Sequence, residues 1–119
     1  GIESQKLALY IGELLEYKKL ELASLCLNIA WLYRIKEEEE EYRFLELAKE
    51  FYEFSYYNEG FVSTNMGQLK LAYLIGELNR QLGNKEDALK WFNVVISDSG
   101  LKSNKVLEKL VREQWNLTR

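Results

Sequence analysis

Proline is absent from the 119 residues, and so is histidine. Without proline nothing forces a break in a helix interior, so the chain is free to run as nearly continuous helix. Without histidine it lacks the commonest general base and the commonest metal ligand. A single cysteine, Cys26, excludes an internal disulfide and any multi-cysteine zinc site. It sits in an apolar stretch with no positive charge nearby, so it reads as a small buried hydrophobe rather than a reactive thiol. A basic surplus is also missing: the net charge is −3 and the pI about 5.1. Nucleic-acid binders need a basic stripe to displace counterions from phosphates, so no nucleic-acid partner is expected. The longest apolar run, "LASLCLNIAWLY" at 22–33, falls short of the roughly 20 residues of a membrane span. No signal-peptide pattern is visible either, so a cytoplasmic protein without a membrane partner is expected.

What is present is apolar sequence, 47% of the chain, arranged at helical spacing. The pattern predicts an all-α fold of about six helices. The first covers residues 4–17. The second, 20–36, is apolar nearly all round between Leu22 and Tyr33, as a helix at the centre of a domain would be. The third starts near Glu38 and runs to Tyr57. Its opening run of five glutamates lacks the sharp turn of a calcium loop and reads as an acidic first turn favoured by the helix dipole. Tyr42, Leu45, Ala48, Phe51, Tyr52 and Ser55 trace one face of it. The aromatic stretch "FYEFSYYNEGF" that ends it is either core sealing the helix end or an exposed patch for a partner. The fourth helix runs from Thr64 or Asn65 to Leu82 and closes at Gly83. The fifth, 85–97, turns Ala88, Leu89, Phe92, Val95 and Ile96 inward. The sixth, 104–116, carries the stripe Val106, Leu107, Leu110, Val111 and Trp115.

Gly76, Gly83, Ala88 and Phe92, with Val95 in the slot that follows, make the fourth and fifth helices resemble a tetratricopeptide repeat. The spacing has a packing rationale. Gly76 lets the partner helix approach, Ala88 presents only a methyl group, and Phe92 fills the wedge between them. Gly83 supplies the backbone freedom of a short turn. Asn79 departs from the pattern where an aromatic is usual, and Gly100 where proline is usual. A weaker copy lies upstream, with Ala30 and Tyr33 in the small and aromatic positions and Leu45 and Ala48 downstream. It matches if its turn is one residue shorter, and the two copies then lie further apart than the ~34 residues of a standard repeat. The resemblance implies one domain over 1–119, with helix pairs stacked as a short right-handed superhelix. Its parts would be an incomplete repeat helix at 1–19, a divergent repeat at 20–60, a clearer repeat at 64–100 and a capping helix at 103–119. "LNIAWLYR…EEEEEYRFLELA" together with "LKLAYLIGELNRQLGNKEDALKWFNVVISD" is similar to the C-terminal part of an uncharacterised bacterial family, often found in Firmicutes. That family carries a cysteine-rich, metal-binding segment upstream. The likeness implies such a segment before Gly1 and implies no activity.

The functional expectation is a non-catalytic scaffold that binds a protein or peptide segment in a concave groove. Ser24, Leu27, Trp31, Arg34 and Ile35 would line it from one repeat, and Lys70, Tyr73, Glu77, Arg80 and Gln81 from the other. Trp31 and Leu27 read equally well as core. The alternative is a homo-oligomerisation module, such as a homodimer, that presents the upstream segment. An enzyme is not expected: there is no phosphate-binding glycine loop and no nucleophile motif, and no cofactor or metal is called for.

Overall fold

Three- and four-residue apolar spacing is realised as helix wherever the computed structural model describes the chain, which is at residues 4–9, 26, 28–29, 40–58 and 64–119. The fold is all-α, and no strand occurs among the described residues. Ala30, Tyr33 and the groove candidates Ser24, Leu27, Trp31 and Arg34 lie outside them. Two compact units divide the chain, Gly1–Phe61 and Val62–Arg119.

In the first unit residues 4–9 are helical with Leu9 buried, and Cys26 and Ile29 are fully buried. Helix α1, Glu40–Tyr57, buries Phe44, Ala48 and Tyr52 at i, i+4 and i+8, flanked by Leu45 and Ser55, and these define its inner face. Ser55 is tolerated there because its hydroxyl donates to the Phe51 carbonyl at 2.9 Å. The face traced from sequence changes in two places. Tyr42, which belongs to it by spacing, is 56% exposed, and Phe44, which does not, is buried. The aromatic stretch at its end divides: Tyr52 is buried, whereas Phe54 and Tyr57 are exposed.

The second unit holds α2 (Asn65–Gln81), α3 (Lys85–Ile96), a 3-10 helix (Ser99–Ser103) and α4 (Lys105–Thr118). Three of the four starts carry a side-chain cap. The Thr64 hydroxyl accepts from the Gly67 N–H at 3.0 Å, and Asn104 Oδ1 accepts from the Leu107 N–H at 3.0 Å. Asp98 Oδ1 accepts from the Gly100 N–H at 2.7 Å and opens the 3-10 helix, which lies between the fifth and sixth helices expected from sequence. At Gly100 a Cβ would lie 3.0 Å from Asp98 Oδ1 and 3.1 Å from Asn65 Nδ2, so any other residue would press on both side chains.

Helix α2 packs mainly on α3, and α3 in turn on α4. The seam between α2 and α3 is the centre of the unit. Gly76 faces Phe92, and a Cβ on Gly76 would sit 2.7 Å from the Phe92 ring and 3.2 Å from Trp91 Cβ. Phe92, Ala88, Val95, Ala72 and Ile75 are fully buried around it. Trp91, absent from the inward set read from sequence, is buried too, whereas Leu89 and Ile96 are only half-buried. On α4 the expected stripe splits. Leu107 and Val111 are buried, but Val106 is 71% and Leu110 38% exposed. Periodicity finds the apolar side of a helix and does not say how much of that side a neighbour covers.

The turn from α2 to α3 is closed by backbone and side chain together. Gly83 has φ +82°, the left-handed region that a side chain would strain. Its N–H donates to the Arg80 carbonyl at 3.1 Å, and the Asn84 N–H to the Asn79 carbonyl at 2.8 Å, the paired bonds of a Schellman cap. Asn79 is 1% exposed. Its Nδ2 donates to the Ile75 carbonyl at 2.9 Å, and its Oδ1 accepts from Asn84 Nδ2 at 3.2 Å. Asn84 therefore holds the turn shut instead of capping α3, whose N-terminus gains no side-chain cap. Asn79→Ala should cost about 1–2 kcal/mol, because Asn84 Nδ2 loses its acceptor and a buried polar contact is emptied. An unchanged urea midpoint for that variant would show that the clamp contributes nothing.

Candidate functional site

Both α2 and α4 turn side chains into one surface cleft of about 460 Å³. Lys70, Tyr73 and Leu74 line it from α2, and Val106, Leu107 and Leu110 from α4, with Asn104 at one end. The helical row Lys70, Tyr73, Leu74 stands on one side because residues three and four apart share a face. Val106 and Leu110 stand on the other for the same reason. Leu74, Val106 and Leu110 are exposed, so the cleft offers apolar surface to a binding partner.

Tyr73 is the polar group best held in position. Its ring lies 6.0 Å from that of Phe92, at 35°, which fixes it on the central seam. Burial pushes its hydroxyl up from the ordinary tyrosine value; Glu77 adds to the rise, Arg80 opposes it and Glu113 adds further. The hydroxyl therefore stays protonated near neutral pH and remains a hydrogen-bond donor.

Further along α2 the expected groove row stops facing the cleft. Arg80 Nε donates to Glu77 Oε2 at 3.0 Å, and Gln81 Nε2 to Glu77 Oε1 at 3.2 Å. The hydrogen bond to Glu77 raises the Arg80 pKa above its ordinary value. Arg80 lines a separate cleft of about 170 Å³ with Gly83, Lys85, Leu117 and Thr118. The five α2 residues expected to form one surface are thus divided: Lys70 and Tyr73 at the larger cleft, and Glu77, Arg80 and Gln81 bound to one another beyond it. Leu45, Ala48, Gly76, Ala88 and Phe92 are buried packing residues, and Gly83 is an exposed turn residue. Leu74 went unnoticed in the sequence because one leucine in an apolar helix carries no sign of its exposure.

Charge is distributed unevenly along the sequence. Residues 62–119 carry nine basic and six acidic side chains, whereas residues 1–61 carry seven and thirteen. The cleft lies in the basic part. Among the described residues no three His, Cys, Asp or Glu side chains converge as a metal site would require. No described helix is long and apolar enough to cross a membrane.

A family model matches residues 1–118, and the chain belongs to that family, DUF2225, described as an uncharacterized protein conserved in bacteria. No curated protein and no solved structure matches the chain.

Proposed function

We propose that the chain is a non-catalytic binding scaffold whose α2–α4 cleft takes up a segment of another protein, and that its helix pairs are arranged as in tetratricopeptide repeats. The cleft carries the reading. An apolar recess of this size accommodates one or two side chains, and Leu74, Val106 and Leu110 gain about 25 cal/mol for each Å² of apolar surface the partner covers. The Tyr73 hydroxyl and the Lys70 ammonium add two donors at the rim, suited to carbonyl or carboxylate groups of a peptide. The repeat-like arrangement is supported by the Gly76–Phe92 seam and by the Gly83 turn, which together allow two helices to pack closely and reverse within three residues.

A photo-crosslinking side chain at Val106, in a host bacterium of the family, should give adducts with a discrete protein partner. The same group at Glu86, exposed in the first turn of α3 and outside the cleft lining, should give none. Equal labelling at the two positions, or none at either, would rule the cleft out as the binding surface.

A further inference from the structure

Resting on the cleft reading above, we infer that the segment taken up is acidic: a short stretch with an apolar anchor for the recess and carboxylates beside it. The anchor is dictated by Leu74, Val106, Leu107 and Leu110. The charge is dictated by the rim. Lys70 is exposed at the lip, and among the described residues no carboxylate lies within ion-pair distance of it. On α4, Lys105 and Lys109 form a row beside Val106 and Leu110, since each pair repeats at i, i+4. Their side chains are 80% and 78% exposed. Their nearest carboxylates are long contacts, 3.8 Å to Glu108 for Lys105 and 4.0 Å to Glu113 for Lys109. Glu108 is further shared with Arg112 at 3.8 Å. Exposed pairs at such distances contribute little, so both ammonium groups remain available to a better-placed partner. Among the described residues no carboxylate lines the recess: Glu77 is held by Arg80 beyond it, and Glu108 and Glu113 make only the long contacts just named. Lys70 thus lines the recess from α2, and Lys105 and Lys109 stand beside Val106 and Leu110 on α4, a complement to an acidic amphipathic segment and a repellent to a basic one.

Selection of a random-sequence peptide library displayed on phage, with the purified chain as bait, tests this directly. Recovered peptides should combine a large apolar residue with neighbouring Asp or Glu. Their affinity, measured by fluorescence anisotropy, should fall about tenfold in the double variant Lys70→Glu, Lys105→Glu, and fall again between low and high salt. Val106→Glu should abolish binding; all three positions are exposed, so circular dichroism should show unchanged folding. Peptides that need Val106 but carry no acidic bias, or that bind the double lysine variant as well as the wild type, would overturn the charge assignment and leave the cleft reading standing. Peptides indifferent to Val106→Glu, or no selected peptides at all, would overturn both. A concentration-dependent dimer dissolved by Val106→Glu would assign the cleft to a second copy of the chain and overturn the inference.

Discussion

Phe92→Ala is expected to lower the free energy of unfolding by about 3–5 kcal/mol, measured from urea denaturation followed by circular dichroism. The ring is fully buried and fills the seam between α2 and α3. The size of the loss depends on whether the seam can collapse into the space left behind. Opposite the ring stands Gly76, which has no side chain to swing in, and Ala72 and Ala88 nearby offer only methyl groups. A collapse would require the helices themselves to move, so the upper part of the range applies. Tyr73 also loses the ring it leans on, 6.0 Å away, so affinity at the cleft should fall with stability. A loss under about 1 kcal/mol would mean that the seam is far more plastic than close packing allows.

The converse change, Gly76→Val, should cost about 3 kcal/mol by overpacking. Even the first added carbon would stand 2.7 Å from two atoms of the Phe92 ring and 3.2 Å from Trp91 Cβ. The ring cannot retreat, because it is enclosed, and Trp91 Cβ is tied to the α3 backbone. Valine is moreover a poorer helix former than most residues, so only the relief from glycine entropy offsets the clash. The two substitutions diagnose each other. In the double variant Gly76→Val, Phe92→Ala the valine occupies space that the ring vacated. The combined loss should then be at least about 1 kcal/mol smaller than the sum of the single losses. Strict additivity in that cycle would show that the two positions do not share the seam.

The seam and the turn were legible in the sequence because each depends on residues with one dominant local property. Glycine at 76 and 83, alanine at 88 and the helix starts at Thr64 and Asn104 carry their own physical explanation in their spacing. The cleft was legible only in part. A helical row such as Lys70, Tyr73, Glu77, Arg80 follows from periodicity, but its division follows from the ion pair between Glu77 and Arg80 and from where α4 crosses. Val106 and Leu110 belong to the same apolar stripe as Leu107 and Val111, and spacing alone does not separate the exposed pair from the buried one. Their exposure depends on how far α2 extends over α4, which no residue of α4 encodes. Asn79 looked like a departure from a repeat pattern. Its role emerged only once Asn84 stood opposite it, across a turn whose geometry the pattern leaves open. The family match bears out the resemblance to an uncharacterised bacterial family, and the helical reading of the chain holds throughout the described residues.

One consequence of the Asn79–Asn84 turn concerns proteases and solvent exchange. Gly83 and Asn84 lie on the surface, where a connecting loop is ordinarily the first place to be nicked. Here the amides of Leu82, Gly83 and Asn84 all donate, to Leu78, Arg80 and Asn79. Cleavage needs an extended backbone in the enzyme's cleft, and this stretch can supply one only by first giving up the end of α2. The reversal between the two helices should therefore resist limited proteolysis and exchange its amide protons as slowly as the helix interior beside it.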